Sequence, residues 1–119
     1  MKKPKLSPER QFLFDNHKKV CEDAFRILQQ KNSDYASNSD PYANFRRGEY
    51  LDLCSVPAGI LLRVMDKLSR LSTFVKDGKL TVKNESYDDA CKDIINYLII
   101  LMSYVESQKQ QITKNKKAK

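Results

Sequence analysis

The sequence predicts an all-α protein: a helical bundle of three long helices, with a long polar loop between the first and the second, completed by dimerisation. Apolar residues recur at three- and four-residue spacing through three separate stretches. Start and stop signals bracket each stretch. An alternating run, Lys79-Leu80-Thr81-Val82, reads as no more than a short extended piece.

The first helix opens at Ser7-Pro8-Glu9, an N-cap residue, a proline at the first helical position and an acid in the first turn. Leu13, Phe14, His17, Val20, Cys21, Ala24, Phe25, Ile27 and Leu28 then form one wide apolar face, which ends near Lys31-Asn32. Residues 32–55 change character. Asn32, Ser33, Asp34, Ser37, Asn38, Ser39, Asp40 and Pro41 are turn formers. Tyr35, Tyr42, Phe45 and Tyr50 are interleaved with them, which predicts a loop pinned onto the body.

The second helix is expected from Pro57 to about Lys76, stopped by Asp77-Gly78. Leu61, Val64, Leu68, Leu71 and Val75 make its core stripe, and Arg63, Asp66, Lys67, Arg70 and Phe74 lie on another side. The third is expected to begin between Asn84 and Ser86 and to run to about Gln110. Tyr87, Cys91, Ile94, Leu98, Leu101 and Val105 recur four and three apart, a heptad seam expected to face the core. Glu85, Asp89, Asp93 and Asn96 fall on the opposite side of the same helix. The run from Ile94 to Met102 is apolar almost all round, so a partner chain is expected to cover part of it. Asp93 and Asn96 would then face a crevice.

The length of 119 residues fits one domain, enough to fold without disulfides or a metal. The net charge of +7 invites a polyanionic partner, but its distribution argues otherwise. Residues 1–6 and 108–119 form basic tails that carry Lys2, Lys3, Lys5, Lys109, Lys114, Lys116, Lys117 and Lys119 and no acid. The domain between them, 7–107, is close to neutral. Nucleic acid is therefore expected to bind at most weakly, through the tails. The C-terminal tail is expected to be disordered. Cys21, Cys54 and Cys91 show no CxxC spacing and read as small buried hydrophobes in a reducing cytosol. His17, mid-helix, is expected to lack a Ser or Cys nucleophile. No membrane span and no secretory signal are expected.

The chemistry is expected in the charged faces. Carboxylates crowded into a crevice repel unless a cation joins them, and a hard divalent ion such as Mg²⁺ takes oxygen ligands. Glu85, Asp89 and Asp93 supply three, and Asp66 a fourth. Arg63, Lys67 and Arg70 beside them suit phosphate.

Four blocks of sequence carry a family resemblance. They are Lys31-Asn32-Ser33-Asp34-Tyr35-Ala36; Asp40-Pro41-Tyr42-Ala43-Asn44-Phe45-Arg46; Gly59-Ile60 with Arg63-Val64-Met65-Asp66-Lys67-Leu68-Ser69-Arg70-Leu71; and Asn84-Glu85-Ser86-Tyr87-Asp88-Asp89-Ala90-Cys91-Lys92-Asp93-Ile94-Ile95-Asn96-Tyr97. In that order they resemble the nucleotide-modification-associated domain 1 family of phages and prophages, which looks like a divergent branch of the MazG-like all-α pyrophosphatases. The resemblance implies a helical homodimer or larger homo-oligomer in the cytoplasm, the host's if phage-encoded. It implies Mg²⁺- or Mn²⁺-dependent cleavage of a (deoxy)nucleoside triphosphate to the monophosphate and pyrophosphate. Asp66, Asp89 and Asp93 would be catalytic, with Glu85 a further metal ligand. Lys31, Arg63, Lys67 and Arg70 would hold phosphates, and Asp34, Tyr35, Asn44, Phe45 and Asn96 would contact the rest of the nucleotide. The family's ExxE pair has no counterpart in the second helix, and Ala90 breaks its ExxD pattern ahead of Asp93. The alternative is a binder that sequesters a nucleotide or a nucleotide-derived signal.

Overall fold

A computed structural model describes residues 5–35, 40–77 and 85–117; for 33–35 and 85–86 the description is of backbone alone. The described residues form four α-helices and no strand: α1 (Pro8–Tyr35), α2 (Ala43–Tyr50), α3 (Val56–Asp77) and α4 (Glu85–Lys117). The Lys79–Val82 piece and the Gly78 stop lie outside the described residues.

The caps fall where the sequence places them. The Ser7 hydroxyl accepts the backbone N–H of Arg10 at 3.2 Å at the start of α1, and the Ser55 hydroxyl accepts that of Ala58 at 3.2 Å at the start of α3. The ends differ. α1 runs through Asn32, Ser33 and Asp34 to Tyr35. Asn32 is held by tertiary contact, its amide donating to the Pro41 carbonyl at 3.2 Å. α4 continues past Gln110 to Lys117. No Gly or Pro interrupts that stretch, and Lys114, Lys116 and Lys117 in its last turn suit the negative end of the helix dipole.

The expected loop contains a helix. Eight residues are too few to hold α2 alone in water; packing holds it. Tyr42 and Phe45 pack against the core cluster of Val56, Ile60 and Tyr104. The Arg46 guanidinium donates from Nε to Asp40 at 2.7 Å and lies 6.0 Å from the Tyr42 ring centre and 5.9 Å from that of Tyr104. The turn into α3 is tight. A Cβ on Gly48 would meet the Cys54 sulfur at 2.9 Å, so only glycine lets α2 close on that residue. Asp52 takes a left-handed φ of 57°, which Asp tolerates better than most residues.

α4 is the spine. It packs along α3 and against α1, and α2 packs on α3. Phe74 stacks on Tyr87, ring centres 4.6 Å apart, near the C-terminal end of α3 and the start of α4. The buried core is small: Ala24, Val56, Ile60, Val64, Ala90 and Tyr104.

The face that α4 buries coincides only in part with the heptad seam. Ala90, Asp93, Asn96 and Tyr104 are buried. Of the seam, Cys91, Ile94 and Leu101 are half-buried and Leu101 packs against the core, whereas Tyr87, Leu98 and Val105 are 44%, 41% and 40% exposed. Polar groups can be buried when each finds a partner, and here they do. The Asn96 amide donates to the Ala24 carbonyl of α1 at 2.9 Å, and Asp93 receives two lysines. These bonds set which side of α4 faces α1 and α3. The expected stripe of α3 divides similarly: Val64 is buried and Leu71 half-buried, but Leu61, Leu68 and Val75 are exposed. Cys21, expected inside, is exposed, and Cys54 and Cys91 are half-buried.

The chain exposes 10092 Å², where a compact monomer of its 13.8 kDa exposes roughly 6,600 Å². No helix among the described residues is long and apolar enough to cross a membrane.

Candidate functional site

One residue organises the site. Asp93 sits on the inner face of α4, 8% exposed. Lys31, from the last turns of α1, places Nζ 2.9 Å from Oδ1. Lys67, from α3, places Nζ 3.1 Å from Oδ2. Each carboxylate oxygen thus serves one ammonium, and the two come from different helices. Burial raises the Asp93 carboxyl, but the bonds and charges of Lys31 and Lys67 outweigh it and hold the group below the usual carboxylate value. Burial likewise works to lower Lys31, and the bond to Asp93 raises it above its ordinary value.

Lys31 and Asp93 of this triad line a cleft of ≈ 380 Å³, which Lys67 meets only through Asp93. Leu28, Lys31 and Asn32 of α1 form one wall, with Pro41, Asn44 and Phe45 across from them. Arg63 enters from α3, and Asp93, Asn96, Tyr97 and Ile100 from α4. Phe45 and Tyr97 meet edge to face, ring centres 6.3 Å apart. The lining of the cleft therefore combines cations, aromatic rings and side-chain amides. Phe45 both anchors α2 to the core and lines the cleft.

Of the residues singled out from the sequence, Lys31, Asn44, Phe45, Arg63, Asp93 and Asn96 line this cleft, and Lys67 reaches it through Asp93. Asn96 spends its amide on the Ala24 carbonyl, which makes it part of the scaffold as well. Arg70 and Asp66 do not join. They face each other at 3.6 Å, with side chains 58% and 60% exposed, as an i,i+4 pair along α3. Asp89 is exposed one turn before Asp93. The side chains of Asp34, Tyr35 and Glu85 lie outside the described residues. Among the described residues, no three His, Cys, Asp or Glu side chains gather in a way that would hold a metal ion. The described donor set at Asp93, one carboxylate already bonded to two ammonium groups, does not fit a divalent ion.

Tyr97 and Asn32 were not singled out as site residues. Periodicity places Tyr97 on the apolar side of its helix, and Asn32 reads as a turn former. Only the α2 packing turns both toward a common space.

Fold and site together define a class: an all-α protein with a cation-lined, aromatic-walled cleft between its helices. No family model matches the chain, and neither a curated protein nor a solved structure matches it.

Proposed function

We propose that the cleft binds a nucleotide, the phosphates at Lys31, Lys67 and Arg63 and the base toward Phe45, Tyr97 and Asn44. The observation that carries this is the convergence of Lys31 and Lys67 on Asp93 beside an aromatic-walled cleft. Ammonium and guanidinium groups supply charge for phosphate. Aromatic faces and side-chain amides suit a base. A volume of ≈ 380 Å³ is in the range of small-molecule sites. The sequence resemblance to the phage nucleotide-modification family supports the same ligand class, and a nucleotide ligand puts the working compartment in the cytoplasm.

The hydrolytic reading is Mg²⁺- or Mn²⁺-dependent cleavage of a (deoxy)nucleoside triphosphate to monophosphate and pyrophosphate. It needs further carboxylates beside Asp93, from Glu85, Asp89 or Asp66 or from a second copy. One experiment separates binding from cleavage. The purified protein is incubated with ribo- and deoxynucleoside triphosphates and Mg²⁺ or Mn²⁺, and bound ligand and released pyrophosphate are both measured. Binding without pyrophosphate supports the sequestering reading, pyrophosphate lost in Asp93→Ala supports hydrolysis, and neither binding nor turnover sinks both.

The reading includes a homodimer. Leu61, Met65 and Leu68 recur at helical spacing on α3 and are 46%, 63% and 50% exposed. On α4, Tyr87, Leu98 and Val105 keep the coiled-coil spacing and face away from Asn96 and α1. Two such stripes on neighbouring helices suit a second helix pair. Light scattering after size exclusion tests it, and a monomer at micromolar concentration would refute it.

A further inference from the structure

A divalent ion is held by carboxylate oxygens and needs several of them or a substrate to complete its shell. In this cleft both oxygens of the buried carboxylate are bonded, Oδ1 by Lys31 and Oδ2 by Lys67. Of the nearest described acids in sequence on the two helices, Asp89 is exposed and reaches Lys31 only through its charge, and Asp66 faces Arg70. We propose that the cleft takes a phosphate of its ligand directly on the ammonium groups of Lys31 and Lys67, without a divalent ion. Asp93 is the resident anion that holds the two lysines and gives them up to the ligand. The proposal rests on the nucleotide reading above and specifies how that ligand is held.

The chemistry is an exchange of ion pairs, with no covalent bond made or broken. An ammonium has three N–H donors, so each lysine keeps two beyond the one given to Asp93. Lys31 is 52% exposed, so it can swing toward an incoming phosphate. Lys67 is 18% exposed and meets the cleft through Asp93, so the second contact forms as Asp93 gives it up. Arg63 lines the same cleft and adds a planar donor pair. Lys31, Lys67 and Arg63 outnumber Asp93 and the more distant Asp89, so the site keeps a net positive charge. A terminal phosphate monoester, mostly a dianion at neutral pH because its second pKa is about 6, suits it. The predicted class is therefore a nucleoside phosphate with a free terminal phosphate, bound in its metal-free form.

A metal site and an ammonium site give opposite signs for one variant. If Asp93 holds a metal, Asp93→Asn weakens binding. If Asp93 competes with the ligand for two lysines, Asp93→Asn removes a nearby negative charge and strengthens it. At a separation of about 6 Å in a water-like dielectric, removing one charge from beside a dianion is on the order of tenfold in affinity.

The test is calorimetric titration of the full chain with nucleoside mono-, di- and triphosphates, inorganic phosphate and an unphosphorylated nucleoside. Each is run in excess EDTA and again in millimolar Mg²⁺. The expected result is phosphate-dependent binding that is equal in both buffers. Asp93→Asn binds about tenfold tighter, and Lys67→Met at least tenfold weaker, with the unphosphorylated nucleoside unaffected. Circular dichroism and a thermal melt check that each variant is folded; should Asp93→Asn fail to fold, Lys67→Met and the EDTA comparison decide. Binding that appears only with Mg²⁺, or a folded Asp93→Asn that no longer binds, overturns the inference and leaves the nucleotide reading standing. No nucleotide binding in either buffer overturns both.

Discussion

Lys31 and Lys67 bond the same carboxylate from different surroundings, so their couplings to it differ in size. Distance alone favours Lys31, at 2.9 Å against 3.1 Å. Exposure reverses the order. At 3.1 Å two unit charges attract by about 5 kcal/mol at an effective dielectric of about 20, and by little over 1 kcal/mol in water. The Lys67 side chain is 18% exposed and sits nearer the first limit; Lys31, at 52%, sits nearer the second. Desolvation offsets much of the larger figure. The net coupling expected for Lys67 with Asp93 is about 1–3 kcal/mol, and for Lys31 under about 1 kcal/mol. Two double-mutant cycles measure them, pairing Lys67→Met and then Lys31→Met with Asp93→Asn. Methionine keeps much of the lysine stem and removes only the charge. Stability is read from urea unfolding by circular dichroism at neutral pH, low salt and one protein concentration, because a dimer makes stability depend on concentration. A Lys31 coupling equal to or above that of Lys67, or a Lys67 coupling below about 0.5 kcal/mol, would refute the described clamp.

Ile60 is wholly buried in a core that has few such residues, so Ile60→Ala is expected to lose about 2–4 kcal/mol in the same urea assay. Leu68→Glu and Leu98→Glu place charge on the open stripes of α3 and α4; light scattering is expected to show half the wild-type mass, with helical content kept. The clamp also sets a pH dependence. The Asp93 carboxyl is held low in the folded chain, so its contribution is complete above the ordinary carboxylate value of about 4 and drains as pH falls through the folded value. The stability gap between wild type and Asp93→Asn is therefore expected to be flat from neutral pH to about 5 and to close below about 4. Lys31 titrates above its ordinary value, so the gap is expected to persist into alkaline solution.

Much of the fold is legible in one dimension. Ser7 and Ser55 announce their caps by residue type alone, because a short side-chain oxygen next to free backbone N–H groups is a local interaction. α2 is not legible. Its sequence, Ala-Asn-Phe-Arg-Arg-Gly-Glu-Tyr, follows turn formers and contains glycine, and its stability comes from Tyr42, Phe45 and Arg46 reaching residues more than ten positions away. The heptad seam of α4 is a true periodicity, but only part of it meets the core: Leu101 packs there, whereas Leu98 and Val105 are exposed. Spacing shows that Tyr87, Leu98 and Val105 share a face, but it does not say whether that face meets this chain or another.

The site divides in the same way. The types and spacing of Lys31, Arg63, Lys67, Asp93 and Asn96 marked them as a charged set near one crevice, and these side chains do meet there. The same spacing grouped Asp66 and Arg70 with them, and those two lie outside as an exposed pair. One helical turn separates Arg63 from Lys67 and Lys67 from Arg70, so a small rotation of α3 decides which reach the cleft.

The sequence by itself determined that this chain is helical, where its long helices begin, and that its charge of +7 belongs to its ends. These are matters of residue type and local periodicity, which need no partner. Only the tertiary structure decided which face of α4 is buried and what neutralises Asp93. Two polar residues, Asp93 and Asn96, found partners on α1 and α3, and burying them left Leu98 and Val105 of the apolar seam exposed. A carboxylate that reads as a metal ligand in the sequence is, in the folded chain, the counterion of two lysines. That outcome depends on where three helices cross, and no single stretch of the chain contains it.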